Sequence, residues 1–466
     1  MSRLIIVSNR VQPPTGEGGG NQGGLAVALS AALRESSGIW FGWSGESTEQ
    51  FTGHINLRRA FGVTTATVDL EEQDVDEYYN GYANRTLWPL FHYRVDLAEF
   101  ESGFAEGYER VNRRFAETLQ PLVEEDDLIW VHDYHMFPLG RFLRDRGVRN
   151  RMGFFLHIPW PPYRLLMSLP DHRELVETLF AYDVVGFQTR DSLEAFHDYV
   201  VHEMDGTVEA DGRVIVGDRS VLALACPIGI DTDNFLEAAR SPAALDAFQR
   251  MRESANGRDM IVGVDRLDYS KGLQERFLGY ERLLQQEEGL HGSLFLLQIA
   301  PPSRADVQSY QEIRAGLDSL SGRINGAYAD AEWVPIRYVN RGYPRDRLAG
   351  IYRAARIGLV TPLRDGMNLV AKEYIAAQDP EDPGVLILSR FAGAAEQLSD
   401  ALLINPHSPE DIADAIQQAL AMPLAERKAR WRACMDSVEQ QDVMWWRRSF
   451  LSALAGDEAC AEADAA

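Results

Sequence analysis

The sequence predicts an α/β protein made of two Rossmann-like, doubly wound domains that face each other across a cleft. Three observations carry this expectation. Short apolar runs rich in Val, Ile and Phe recur along the chain, and amphipathic segments separate many of them. The runs are continuous rather than alternating, as strands buried on both faces of a parallel sheet are. About eleven such runs are too many for one compact doubly wound sheet, and 466 residues are too many for one ordinary core.

In chain order, the first series of strands is expected at Arg3–Val7, Asp127–Val131, Gly153–Leu156, Asp183–Phe187 and Val221–Ala225. The second is expected at Met260–Val264, Ser293–Ile299, Pro335–Val339, Ile357–Val360, Gly384–Leu388 and Ala401–Ile404. Helical patterns lie at Gly24–Leu33, Gln274–Gln285, Ala305–Leu317 and Ser408–Leu420. The stretch Cys226-Pro227-Ile228-Gly229-Ile230-Asp231 ends a strand in Pro and Gly before a polar helix, so the domains are read as residues 1–231 and 232–440. Residues 441–455, with Trp445 and Trp446, form a last helix expected to pack back on the first domain. The Ala/Asp/Glu-rich tail, 456–466, is expected to be disordered. Residues 50–100 fit the alternation poorly; their aromatics read either as an excursion over the first sheet or as part of a sugar pocket.

Composition narrows the partners. The formal net charge of −24 disfavours nucleic acid or an anionic membrane surface, which call for a basic face. It leaves room for anionic small molecules bound by a few local Arg and Lys. Three cysteines without metal or disulfide spacing read as inert thiols in a reducing compartment. The start, MSRLIIVSNR, reads as a strand rather than a signal peptide, and no apolar run reaches membrane-spanning length. A cytoplasmic protein is expected.

Ligands of open parallel sheets bind beyond the carboxyl ends of the strands. Arg10 follows LIIVSN, Asp133 follows LIWVH, and His157 follows GFFL. Arg266 follows MIVGVD with Lys271 one turn on, Arg304 follows LFLLQIAPPS, and Asp365 follows IGLVTPLR. Each alone reads equally well as a solvated charge, a helix cap or a satisfied structural group. Together, from both halves, they make a set. Arg266 and Lys271 suit a diphosphate, Arg by forked hydrogen bonds and Lys as a point charge. The helix start at Gly366-Met367-Asn368 adds N–H donors and a positive dipole end. Glu373, further along, suits ribose hydroxyls. Arg10 and Arg304 exceed what one diphosphate needs and point to a second phosphate.

The loop Thr15–Gly24 contains a literal G-x-G-x-x-G from Gly18 to Gly23, but it starts too far past the first strand for a dinucleotide turn. It reads as a flap whose glycines let backbone approach a ligand. No D-x-D, H-E-x-x-H or cysteine-pair motif stands out, so a mechanism without metal or cofactor is favoured.

The motifs SNR, GGLAVAL, WFGWSGE, DEYYN, LWPLFHYR, VHDYH, FFLHIPWP, GFQT, PIGID, DRLDYSKG, QIAPPSR and TPLRDGMNLVAKEY occur in the order found in the trehalose-6-phosphate synthases. The chain resembles that family, glycosyltransferase family 20, from residue 1 to about 455. The resemblance implies a GT-B fold and a retaining glucosyltransferase using UDP-glucose and glucose 6-phosphate. It implies that Arg266 and Lys271 hold the donor diphosphate, with Gly24 closing over it. Asp365, Gly366, Met367, Asn368 and Leu369 would contact the donor, together with His157, and Glu373 its ribose. Arg10, Tyr79 and Arg304 would cradle the acceptor phosphate, and Trp40, Trp88 and Asp133 the acceptor sugar. A homo-oligomer is a family-level expectation. Other readings are a sister transferase such as a glucosylglycerol-phosphate synthase, a non-catalytic sugar-phosphate sensor, and a nicotinamide oxidoreductase. Intact acceptor positions argue against the first, intact Arg266, Lys271 and Asp365 against the second, and the weak glycine fingerprint against the third.

Overall fold

In the computed structural model the described residues are 3–11, 29, 33, 38–60, 62–303 and 308–456. They divide into two units, one running to Ile228 and resuming at Met444, the other spanning Gly229–Val443. The expected helix at Gly24–Leu33 falls outside the described residues except Leu29 and Leu33, and so does the tail beyond Gly456.

In the first unit the strands in chain order are β1 (Leu4–Arg10), β2 (Ile39–Thr48), β3 (Asn56–Ala60), β4 (Val63–Glu71) and β5 (Leu128–His132). They are followed by β6 (Met152–Phe155), β7 (Val184–Phe187), β8 (Thr207–Val208), β9 (Arg213–Val216) and β10 (Arg219–Ala225). Among the described residues they form one sheet of order β3-β4-β2-β1-β5-β6-β7-β10-β9-β8. β1 is parallel to both β2 and β5, and its residues are buried until Arg10 emerges at the carboxyl end. Chain order reverses between β1 and β5, which makes their carboxyl ends the switch point of this sheet.

The sequence reading did not anticipate β2, β3, β4, β8 and β9. The reason is physical. β3 (NLRRA) is an exposed antiparallel edge, β8 and β9 are a short edge hairpin, and β4 fills its buried face with Thr and Ala. The edge strands lack the two-faced burial that a continuous apolar run records, and in β2 and β4, which are buried over much of their length, Gly, Ser or Thr interrupt the run.

After β4 the chain enters a π-helical segment, Val75–Leu87, and then a short helix, Trp88–Phe91. Segments of this kind concentrate at functional sites. Buried Asp74 anchors the start through Arg110 Nε at 2.9 Å and through Arg114, both on the helix Ser102–Leu119. The Tyr78 hydroxyl donates to Asn9 Oδ1 at 2.8 Å, tying the segment to the end of β1. The final helix, Val443–Ala455, lies on β5 and β6: Trp130 stacks on Phe450 and meets Trp446, each at 4.8 Å between ring centroids. Gly153 and Gly186 leave the space that the Phe450 ring fills, since a Cβ at either would strike it.

The second unit is more regular. Its strands are β11 (Asp259–Val264), β12 (Leu294–Ile299), β13 (Ile336–Val339), β14 (Ile357–Val360), β15 (Val385–Ser389) and β16 (Leu402–Ile404). All pair in parallel, in the order β13-β12-β11-β14-β15-β16. Each matches an expected run within two residues. The crossover helices Leu273–Gln286 and Gln308–Tyr328, and the helix Pro409–Ala421 that follows β16, bury apolar stripes on it, including Phe277, Leu317, Ile412 and Ile416. Order reverses between β11 and β14, so a ligand is expected beyond their carboxyl ends. Among the described residues no helix is long and apolar enough to cross a membrane.

Candidate active site

Both predicted cation and carboxylate clusters sit at these switch points, each within its own unit. In the second unit β11 ends at Val264 and releases buried Asp265, then exposed Arg266. Among the described residues Arg266 makes no hydrogen bond or ion pair, so its guanidinium is not committed to them. Asp268 caps the tight turn Tyr269–Lys271: its Oδ1 accepts from Ser270 N at 2.9 Å, and its Oδ2 accepts from the Tyr310 hydroxyl at 2.9 Å. That turn delivers Lys271, buried along its stem, whose Nζ lies 2.5 Å from Asp365 Oδ2.

Asp365 follows β14. Its backbone is strapped to the next connection, with Asp365 N donating to Phe391 O at 3.1 Å and Gly393 N to Asp365 O at 3.0 Å. Asn368, at φ +94, caps the helix Leu369–Ala377; its Oδ1 accepts from Ala371 N at 3.1 Å, and its Nδ2 donates to Asp365 Oδ2 at 3.0 Å. One carboxylate oxygen therefore takes a lysine and the capping amide at a helix N-terminus. The structure thus brings Lys271, Asp365 and Asn368 into direct contact. Gly366, Met367 and Leu369 supply the backbone between Asp365 and the helix, and Ala394 N fixes the turn by donating to Met367 O at 2.8 Å.

Glu373 stands one turn inside the helix. Burial pushes its carboxyl up to about 7, and the charge of Arg345 works against that shift. Neighbouring Lys372 donates to Gln397 Oε1 at 2.6 Å, and burial pulls its ammonium down to about 7.

Gly272 sits at φ +61, where an added Cβ would collide with the Thr361 carbonyl. Gly272→Ala is expected to destabilise the protein by about 2 kcal/mol or more, from the left-handed backbone and the collision together. Thermal denaturation checks this, and unchanged stability would mean that the turn carrying Lys271 is not held as described.

In the first unit Arg10 leaves β1 with its guanidinium 5.8 Å from the Trp43 ring centroid. Trp43 meets Tyr79 edge-on at 5.5 Å, and Tyr79 stacks on His135 at 6.0 Å. The predicted phosphate ligands Arg10 and Tyr79 are thus joined through Trp43. Trp40 is 2% exposed and its Nε1 donates to Ser8 Oγ at 2.8 Å, so it offers the site little more than an edge. Trp88, also buried, packs on His92 at 4.1 Å and Tyr134 at 5.6 Å.

Asp133 has φ +77, uncommon for a residue other than glycine and a mark of a site held by its surroundings. Its Oδ1 accepts from His157 N at 3.2 Å, linking the ends of β5 and β6. The His157 ring sits between Gln188 Nε2, 3.1 Å from Nδ1, and His132 Nδ1, 3.1 Å from Nε2. Although His157 keeps an exposed edge, its ring is packed among Phe155, His132 and Trp446, and burial takes it down to about 3. Burial and the neighbouring His157 likewise hold His132 well below its usual value.

Two predicted residues, Gly24 and Arg304, lie outside the described residues. Sequence reasoning missed others. Arg276, wholly buried, bridges Asp265 at 2.7 Å, Gln298 at 2.8 Å and Thr361 at 3.0 Å, bracing the ends of β11, β12 and β14. Gly263 is a faint signal of it, because a Cβ there would strike the Arg276 guanidinium. Gln188 and His132 were also missed.

Comparison with known proteins places this geometry. A sequence model of Glycosyltransferase family 20 matches residues 3–456. A trehalose-6-phosphate synthase of Sinorhizobium fredii is 49% identical over 456 residues, 97% of this chain and 98% of its own. The solved structure of a UDP-forming α,α-trehalose-phosphate synthase from Burkholderia xenovorans in complex with glucose-6-phosphate matches at 49% identity with TM-score 0.93, covering 97% of this chain and 100% of that one. A structure described as trehalose-6-phosphate from E. coli bound with UDP-2-fluoro glucose matches at 44% identity with TM-score 0.93, over 97% and 99% of the two chains. With two parallel-sheet units, a cation–carboxylate cluster at the switch point of one and a family match along nearly its whole length, the chain belongs to glycosyltransferase family 20.

Proposed function

We propose that this chain transfers glucose from UDP-glucose to the anomeric hydroxyl of glucose 6-phosphate, with retention, giving α,α-trehalose 6-phosphate and UDP. The observation that carries the reading is the Lys271–Asp365–Asn368 cluster at the start of the helix Leu369–Ala377. It joins a phosphate-binding cation, a sugar-binding carboxylate and a helix N-terminus at one switch point. The solved relatives support it, one being in complex with glucose-6-phosphate and another bound with UDP-2-fluoro glucose.

In this reading the bond between the donor's anomeric carbon and its phosphate oxygen stretches first. Negative charge builds on the leaving diphosphate, where Arg266, Lys271 and the helix N-terminus stabilise it. The acceptor oxygen then bonds to the same face of that carbon, and its proton passes to the departing phosphate oxygen. The diphosphate draws Lys271 to itself, which frees Asp365 for the glucose hydroxyls. Glu373 takes the ribose hydroxyls, Arg10 and Tyr79 the acceptor phosphate, and Asp133 the acceptor sugar. The cations are side chains, so the step is written without a metal.

UDP release from UDP-glucose, measured with and without glucose 6-phosphate and followed by linkage analysis, tests the reading. Release that depends on glucose 6-phosphate and yields a phosphorylated non-reducing disaccharide is expected. Its absence would refute the assigned substrates.

Glu373 adds a pH dependence. Only its ionised form accepts from two ribose hydroxyls, and its folded value is raised to about 7. KM for UDP-glucose is therefore expected to fall as pH rises through about 7, and Glu373→Gln to remove that limb. The same shift makes the folded protein hold a proton that the unfolded chain has released, so this group's contribution to stability declines as pH rises from about 4.5 to 7. A KM unchanged between pH 6 and 8 would remove Glu373 from the ribose (about one unit either side of its value).

A further inference from the structure

We infer that Gln188 is a positioning residue that locks His157 as a neutral imidazole protonated on Nε2, and so keeps positive charge off the reacting sugar. The inference rests on the proposed glucosyl transfer and goes beyond it.

The assignment follows from hydrogen-bond direction. Ile228 N donates to Gln188 Oε1 at 2.9 Å, and a backbone N–H has no other role. That fixes which end of the Gln188 amide is oxygen. Its NH2 group then faces His157 Nδ1 at 3.1 Å, and an amide NH2 only donates. His157 Nδ1 must present its lone pair. The ring proton of the neutral imidazole is therefore on Nε2, from which it is donated to His132 Nδ1 at 3.1 Å. His132 in turn carries its own proton on Nε2, which has no hydrogen-bond partner among the described residues.

Protonating His157 would set an Nδ1–H against the Gln188 NH2, donor against donor. Flipping the amide does not relieve this, because the NH2 would then meet the Ile228 N–H. Gln188 is 1% exposed, so water does not substitute for it. The low-dielectric surroundings act in the same direction. Among the described residues the titratable groups that contact His157 are His132, from the end of β5, and Asp133, whose Oδ1 accepts from the His157 backbone N–H. Gln188 faces it from the end of β7 and Trp446 from the final helix, neither of them titratable. Among the described residues Asp133 is thus the carboxylate in direct contact with His157, at its backbone N–H. An imidazolium there would offset that carboxylate and oppose the positive charge that develops on the transferred glucose.

Gln188→Glu reverses the polarity at one atom. Its carboxylate accepts from both Ile228 N–H and a His157 Nδ1–H, which favours the imidazolium. Two measurements on the full-length protein test the inference. The first is 15N NMR of histidine-labelled parent protein, assigned with His157→Gln. His157 is expected in the neutral Nε2–H form from pH 6 to 8 (a span around the usual histidine value). A cationic ring or the Nδ1–H tautomer in that range would overturn the proposal, whatever the enzyme's substrates. The second is the ratio of Gln188→Glu to parent kcat at each pH, in which titration of the acceptor's own phosphate cancels. The ratio is expected to fall about tenfold between pH 8 and pH 6, as one group titrating across its pKa requires, with KM for glucose 6-phosphate changed less than about threefold. Gln188→Met, which offers neither acceptor nor donor, is expected to lower kcat without that pH limb. A flat ratio for Gln188→Glu in a folded variant would refute the electrostatic role. Inactivity of the parent with these substrates would refute the assigned reaction, leaving the tautomer measurement to decide the lock.

Discussion

Arg266→Ala is expected to lower kcat by about 10²–10³-fold while leaving the fold intact, the range seen when one donor to a developing anion is removed. The two halves of that statement have separate grounds. Arg266 is exposed and makes no hydrogen bond or ion pair among the described residues, so its removal breaks none there, and stability should move by no more than about 0.5 kcal/mol. Its place is nevertheless not arbitrary. It leaves β11 at the point where strand order reverses, beside the turn that carries Lys271. In the proposed reaction a guanidinium there would donate two parallel hydrogen bonds to a diphosphate whose charge grows as the glycosidic bond stretches. Arg266→Lys keeps the charge and loses the fork, so it should fall between parent and alanine variant. Steady-state UDP release with a thermal melt of the same sample is the measurement. Near-parental turnover would refute the diphosphate assignment. Lys271→Ala is a less selective probe: it strips the ion-pair partner from a nearly buried Asp365, so stability and turnover should fall together.

What could be read from the sequence follows from where each element sits. The strands of the second unit and the central strands of the first are apolar throughout, because helices cover both faces of a parallel sheet. The candidate site residues were legible for a related reason: such a sheet is expected to meet a ligand beyond its strands' carboxyl ends, and Arg10, Asp133, His157, Arg266 and Asp365 stand at those ends or in the connections that follow them. The edge strands were not legible, since NLRRA has the composition of a surface loop. Nor was the π-helical path of Val75–Leu87, whose sequence carries no period that distinguishes it. Arg276 and Gln188 show the deeper limit. An arginine in the second turn of an amphipathic helix reads as a solvated charge, yet Arg276 is wholly buried by partners 11, 22 and 85 positions away: Asp265, Gln298 and Thr361. Gln188 stands inside the motif GFQT, but its role depends on His157 and on the backbone of Ile228, 31 and 40 positions away. Polar groups satisfied across such distances leave no local pattern.

Trp446→Ala is expected to destabilise the protein by about 3–5 kcal/mol, the cost of truncating a fully buried tryptophan. The residue is the hub of a cluster that spans the first unit's sheet. Its ring lies 4.8 Å from Trp130 on β5 and 5.2 Å from Phe155 on β6, and Phe450 one turn on stacks against Trp130. Trp446→Phe keeps most of that surface and should lose less than about 1.5 kcal/mol. Urea denaturation of the three proteins measures this, and a loss below about 1 kcal/mol for the alanine variant would mean that the last helix is not part of the first unit's core. The consequence reaches the chemistry, because the Trp446 ring centroid is 6.0 Å from that of His157 and 6.1 Å from that of His132. The cavity left by alanine opens beside both imidazoles, giving room for water to reach His132 Nε2, which has no partner among the described residues, and for the pair to change protonation. Folded Trp446→Ala should therefore also show a turnover that weakens as pH falls, which a loss of packing alone would not produce. If turnover instead falls equally at every pH, the final helix supports the site by packing alone, and the neutrality of His157 is secured by Gln188 without it.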